Sequence, residues 1–309
     1  MSPAEAPALR LRALVLGSAA GGGVPQWNCG CRVCRLAWSG DPRVRPRTQA
    51  GLALSVDGSN WVLLNASIDL RQQILATPAL QPNGEGRHSP IAAVVLTNAE
   101  VDSSAGLLAL RERQPLAIFG THATLEAIGA NRMFDAVDCA VAPRRAIRLG
   151  ETFEPVPGLK IELLAVPGKV PLWLEDGNVS IDDIGESTVC VAAEAGGARL
   201  VYAPGCAHVT EDLDARIGNT DVLFFDGTLF ADDEMIANGL GDKTGRRMGH
   251  MPVAGPGGTL EAFARHAHVR RILIHINNSN PILIEGSPEE AKVEAAGWEV
   301  AFDGMEVSP

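Results

Sequence analysis

Cys29, Cys31 and Cys34 put three thiols within six residues of chain. Directly ahead of them runs the glycine-rich stretch Gly17-Ser-Ala-Ala-Gly-Gly-Gly-Val-Pro-Gln-Trp-Asn28. Cys29 and Cys31 are too close along the chain for an unstrained disulfide. A C-x-C-x-x-C trio instead offers three sulfur ligands to a tetrahedral zinc ion. Zinc there would pin a glycine loop that otherwise has little to hold it. Three thiols without a metal are the plainer alternative. The other cysteines, Cys139, Cys190 and Cys206, are scattered. That spread argues against a secreted disulfide framework and for a reducing, cytoplasmic setting.

The chain has 309 residues, of which 46% are hydrophobic, enough for one large α/β domain with a substantial core. A net charge of −11 makes nucleic acid an unfavourable partner. The basic run Arg43-Val-Arg45-Pro-Arg47 reads as a solvated turn. No signal peptide is expected at the N-terminus, where residues 1–10 form a flexible Ala/Pro-rich segment, and no apolar run is long enough to span a membrane.

Chemistry-bearing residues need elements to hold them. Leu9–Gly17 reads as a strand entering the glycine loop. Gly51–Gly58 and Trp61–Asn65 read as a hairpin turned at Asp57-Gly58. Asp69–Ala76 is helical, Ile91–Thr97 is a buried strand, and Ser104–Arg113 is helical. Leu116–Phe119 is a strand, and Thr121 caps a helix over His122–Ile128. Strands follow at Leu159–Val166, Thr188–Ala193, Arg199–Tyr202, Val222–Phe225, Ile272–Ile276 and Trp298–Phe302, with Thr259–Ala267 helical. Each half thus supplies several strands followed by helices, with no linker between them. The element order predicts one α/β domain, residues 11–309, with two sheets inside and helices outside.

The glycine loop, the cysteine trio, Arg45-Pro-Arg-Thr-Gln49, Asn65-Ala-Ser67 and Val166-Pro-Gly-Lys-Val170 resemble the pyrroloquinoline quinone (PQQ) biosynthesis protein B family. So do Tyr202-Ala-Pro-Gly-Cys206, Phe225-Asp-Gly-Thr228, Arg247-Met-Gly-His250 and His275-Ile-Asn-Asn-Ser-Asn-Pro281. The resemblance runs from about Leu11 to Glu306. It implies a metallo-β-lactamase-like α/β/β/α four-layer sandwich. It also implies a role in making PQQ from a peptide carrying Glu and Tyr. Two activities go with it: iron- and O2-dependent hydroxylation of the tyrosine ring by a non-haem oxidoreductase, and carriage or transport of PQQ or its precursor.

The wider superfamily carries H-x-H-x-D-H after a buried strand, and two metals are held there. The corresponding stretch here is Asn98-Ala-Glu100-Val-Asp102-Ser103, with Ser where a ligand His is expected. Pro-Gly-His becomes Pro167-Gly168-Lys169, and the bridging Gly-Asp becomes Gly205-Cys206. A two-metal hydrolase is therefore not expected. Asp102 and His275 are left as active-site metal ligands, for Fe(II), with Glu100 and Cys206 as further candidates. Asp226 and His250 match a carboxylate–imidazole pair of the nuclease relatives and are expected to handle protons. His250 is also a candidate second imidazole for that metal, and a core role satisfied by backbone is the remaining alternative.

Lys169 and Arg247 are candidate cations for substrate carboxylates, or surface charges. Gln49, Asn65 and Asn277 are candidate substrate donors, or partners of loop backbone, the latter favoured for Asn65. Gly21-Gly-Gly23 reads as a simple turn rather than an anion cradle. The fourth position of the cysteine site matches Asn278, with a main-chain group or water as alternatives. The expected partners are a small-molecule or short-peptide PQQ precursor, PQQ itself, and a second copy of the chain in a homodimer.

Overall fold

Alternation along the strands sorts side chains into three apolar layers. In β1 (Arg12–Gly17), Ala13 and Val15 face one cluster while Leu14 and Leu16 face another. The computed structural model describes residues 9–175, 180–181 and 183–309. The first sheet continues through β2 (Gly51–Ser55), β3 (Trp61–Leu64), β4 (Ile91–Val95), β5 (Ala117–Gly120) and β6 (Arg144–Ala146). The second comprises β7 (Thr152–Val156), β8 (Leu159–Ala165), β9 (Val189–Ala195), β10 (Ala198–Ala203), β11 (Val222–Asp226), β12 (Arg270–Ile274) and β13 (Trp298–Val300). The last strand, β14 (Glu306–Val307), returns to the first sheet and pairs antiparallel with β1.

The strand orders are β14-β1-β2-β3-β4-β5-β6 and β13-β12-β11-β10-β9-β8-β7. Val62, Leu64, Val95, Ile161, Val191, Tyr202, Phe224 and Ile272 fill the space between the sheets. Val201, Leu223, Phe225 and Leu273 face outward from the second sheet beneath Phe263, Val293 and Trp298. Leu63, Val94 and Ile118 do the same on the first sheet beneath Leu70, Leu125 and Ile128. Helices on both outer faces complete an α/β/β/α sandwich, as the element order predicts.

The Asp57-Gly58 turn forms, with β2 and β3 antiparallel and Leu52 opposite Leu64. Thr121 caps the helix His122–Gly129 by accepting from the Thr124 N–H. The segment expected to be helical from Ser104 to Arg113 departs from that reading. Four α-helical residues, Val101–Ser104, give way to a 3-10 turn over Ala105–Leu110. Its cause is Gly106, whose N–H donates to the Ala66 carbonyl and whose absent Cβ would overlap the Ser67 carbonyl oxygen. The turn tightens to follow that neighbouring loop. Thr259–Ala267 likewise splits into an α-turn, Thr259–Ala262, and a 3-10 turn, Ala264–His266. A helix over Arg32–Trp38 starts inside the cysteine motif, with Cys31 as its N-cap. Most of the N-terminal segment expected to be flexible lies outside the described residues. Among the described residues no helix is long and apolar enough to cross a membrane.

Candidate active site and cysteine cluster

Parallel pairing sets the position of the site. β11 and β12 run in register with Asp226 opposite Ile274, so Asp226 and His275 leave the second sheet at the same edge. From the first sheet, β3 and β4 are also parallel and deliver the loops after Leu64 and Val95. Asn65, in the left-handed region at φ 66°, holds the second of these loops by accepting from the Thr97 N–H at 2.9 Å. The Val189 N–H donates to the Thr97 carbonyl and ties that loop to β9 of the second sheet. Asp102 is thereby brought to His275.

His275 Nε2 and Asp102 Oδ2 are 3.1 Å apart. His275 has φ 58°, a conformation rare for a side-chain-bearing residue and one that collects at functional sites. Burial disfavours the Asp102 carboxylate, but the hydrogen bond and charge of His275, with the charge of His250, hold its carboxyl below the usual range. Burial also works against a charged His275, yet the hydrogen bond and charge of Asp102 hold its pKa above that of ordinary histidine. The two form a hydrogen-bonded imidazole–carboxylate pair in which each partner favours the charged form of the other.

Asp226 is fully buried and lies behind His250, with Oδ2 2.8 Å from Nδ1. It also accepts from the Cys206 N–H, the Thr228 N–H and the Thr228 hydroxyl, at 3.1, 3.0 and 2.6 Å. Four donors use the lone pairs a carboxylate has to offer. Asp226 therefore orients His250 and has no capacity left for a ligand of its own. The donor atoms of Asp226, His250 and His275 lie within 4.8 Å of one another, and the two rings stack at 5.2 Å.

Asp102, Ser103, His250, His275 and Asn277 line a cavity of about 1060 Å³. Its wall also carries Trp27, Ile68, Val101, Leu172 and Trp173, all substantially exposed, which form an apolar collar that no sequence motif marks. A second hollow of about 960 Å³, on the outer face of the second sheet, has no metal-ligating cluster among the described residues.

Three candidates take other positions. Glu100 does not join His275: it pairs with Lys169 at 3.3 Å and accepts from the Leu172 N–H at 2.9 Å. Lys169 is on the wall, but Glu100 and Glu175, the latter at 2.9 Å, already engage its ammonium. Arg247 is not among the lining residues, and Lys243 joins Lys169 on the wall instead. The reason is local in each case: acids one loop away neutralise Lys169, and the 3-10 turn Arg246–Met248 presents Met248 to the cavity. Cys206 points its thiol at the His208 carbonyl and does not join the group of Asp226, His250 and His275. Asn277 lines the cavity and donates to the Ser279 hydroxyl at 2.5 Å.

The three cysteine sulfurs also lie within 4.8 Å of one another. Backbone N–H groups of Cys31, Cys34 and Gln26 point at Cys29, Cys31 and Cys34 respectively, each at 3.4 Å. The Asn278 side-chain amide closes the cluster at 3.1, 3.7 and 3.3 Å from Cys29, Cys31 and Cys34. Burial opposes ionisation of Cys29, but hydrogen bonds from Cys31, Cys34 and Asn278 bring its pKa below the ordinary thiol value. Burial pushes the Cys34 thiol up to about 12. Three clustered sulfurs, each met by an N–H donor, plus an amide whose oxygen and nitrogen are exchangeable by a flip, suit a thiophilic cation.

This scaffold and edge-of-sheet site define a metallo-β-lactamase-fold protein, and residues 60–276 match the beta-lactamase superfamily domain. Coenzyme PQQ synthesis protein B of Methylorubrum populi is 58% identical over 295 residues, covering 96% of this chain and 99% of that one. The crystal structure of Zn(2+)-bound PqqB from Methylobacterium extorquens is 56% identical with a TM-score of 0.93, covering 96% and 99%. The chain belongs to the coenzyme PQQ synthesis protein B family. A diphosphatase of the PhnP family, 18% identical with a TM-score of 0.71 over 97% and 98%, shares the fold alone.

Proposed function

We propose that this chain serves PQQ biosynthesis by taking the Glu- and Tyr-derived precursor into the cavity for iron- and O2-dependent hydroxylation of its tyrosine ring. The observation that carries this reading is the meeting of Asp102, His275 and His250 on one cavity wall. Zinc belongs to the cysteine cluster with Asn278, in keeping with the Zn(2+)-bound relative. Asp102 Oδ2 and His275 Nε2 are spaced as two neighbouring donors on one cation about 2.1 Å from each would be. They fit an active-site Fe(II) with two protein ligands and the remaining positions left to substrate and water. Bound there, Fe(II) would supply O2 activation.

The chain's own groups do the rest. His250, with Nδ1 on Asp226, keeps Nε2 for taking a proton from the ring hydroxyl. The collar of Trp27, Leu172 and Trp173 excludes water from an aromatic ring, and Lys243, paired with Glu175 at 3.7 Å, is a wall cation for a substrate carboxylate. Ring C–H would become C–OH and the second oxygen atom would leave as water, with two electrons from an external reductant and two protons from solvent.

The second reading, carriage of PQQ or its precursor without chemistry, is favoured by one observation. Ser103 offers a neutral hydroxyl where the superfamily supplies a ligand imidazole. The test is anaerobic Fe(II) loading followed by precursor, ascorbate and O2. Hydroxylation predicts iron beyond one zinc per chain and a product heavier by one oxygen atom. Precursor binding with neither iron uptake nor that product would establish the carrier instead. Ser103→His then separates the cases further, because iron uptake and hydroxylation only in that variant mark the native site as metal-depleted.

A further inference from the structure

Among the described residues, Thr228 is the one hydroxyl in contact with both imidazoles. Its Oγ1 lies 2.6 Å from Asp226 Oδ1, 2.9 Å from His275 Nδ1, 3.1 Å from His250 Nδ1 and 3.0 Å from the His275 carbonyl oxygen. Four neighbours compete for one proton and two lone pairs. Asp226 Oδ1 and the His275 carbonyl can only accept. The shorter contact, at 2.6 Å, has the length of a charge-assisted O–H to carboxylate bond, so the proton belongs there. Thr228 then has only lone pairs to offer the two rings, and each ring nitrogen facing it must carry a hydrogen.

We infer that Thr228 is a positioning residue that holds both His275 and His250 with Nδ1 protonated. For His250 the main acceptor of that hydrogen is Asp226 Oδ2, with Thr228 as a second acceptor. For His275, Thr228 is the sole side-chain partner of Nδ1 among the described residues. The consequence is directional. His275 Nε2 is turned to Asp102, and His250 Nε2 is left free of the Asp226–Thr228 network. One hydroxyl, two residues after Asp226 on the same turn, thus sets which nitrogen of each ring does the site's chemistry. Backbone contacts reinforce it: the Thr228 N–H bonds Asp226, and the Thr228 carbonyl accepts from the Asn277 N–H, joining the turn to the segment that carries His275.

This assignment deepens the proposed function at the same site, but its test reads no turnover, so either can fail alone. Full-length protein with 15N-labelled histidine is examined by proton–nitrogen correlation, with His250→Gln and His275→Gln spectra giving the assignments. The wild-type protein is expected to show hydrogen on Nδ1 of both rings. Thr228→Val, close in shape, should expose His275 Nδ1 and raise its hydrogen exchange about tenfold, the equivalent of one net hydrogen bond. Thr228→Ser should restore the wild-type pattern. Zinc content of one per chain reports that each variant has folded. A wild-type His275 with bare Nδ1, a Thr228→Val spectrum unchanged at His275, or a serine variant that behaves like valine overturns the inference. The wild-type and serine spectra decide it even where the valine variant does not fold.

Discussion

Asp102 and His275 stand 173 residues apart in the chain and 3.1 Å apart in space, one from each sheet. Asp102 sits in the helical turn after β4, and His275 is the residue that follows β12. Their pairing is the point at which the two halves of the sandwich form one site.

The pair gives stability a defined dependence on pH. The Asp102 carboxyl is depressed, so its contribution is present above its unfolded value, near 4, and is lost as pH falls through the folded value. The His275 pKa is raised, so its contribution is complete below about 6.5 and is lost as pH rises through the higher folded value. Stabilisation by the pair is therefore greatest between about pH 4 and 6.5. Asp102→Asn should remove both limbs and cost about 3 kcal/mol within that window. Urea unfolding of the two proteins across pH checks this, and parallel pH curves would sink it.

Asn278 should matter to the cysteine site more than an ordinary loop asparagine. Its amide touches all three sulfurs. Asn278→Ala should weaken zinc retention about 10–100-fold in competition with a chelator, the effect expected of a lost supporting or fourth ligand. Cys34→Ser, at a fully buried position, should remove zinc altogether. An unchanged chelator titration for Asn278→Ala would show that the fourth position belongs to another group.

Gly106 carries a backbone prediction. A methyl group there meets the Ser67 carbonyl and the Ala66 peptide, which are main chain and cannot swing aside. Gly106→Ala should cost about 1–3 kcal/mol from overpacking, despite the better helix propensity of alanine. The Asp102 turn, immediately upstream of the 3-10 segment, should shift with it. Denaturant unfolding measures the first effect. A stabilised variant would contradict the close approach.

Much of the scaffold was legible along the chain because strands with two buried faces and sharp turn residues announce themselves locally. The Asp57-Gly58 hairpin and the Thr121 cap are of that kind, as is the strand leading to His275, although it stops at Ile274 rather than at the expected Ile276. The α-helix expected from Ser104 was not, because the close approach at Gly106 depends on a loop from another part of the first sheet. The cysteine trio was readable from spacing, and Asn278 was assigned only by matching. The collar at the cavity, Trp27, Ile68 and Trp173, left no motif, since exposed apolar residues gain meaning only from the hollow they surround.

By itself the sequence determined the ligand types, the family and the alternation that makes two sheets, because those depend on residue identity and short-range periodicity. Tertiary structure alone decided which groups are engaged. Glu100 is held by Lys169, Asp226 is saturated by four donors, and Thr228 lies between two imidazoles 22 and 47 residues further along the chain, a spacing with no readable pattern. A carboxylate or hydroxyl has a fixed number of lone pairs and protons, and only the fold determines which neighbours arrive to use them.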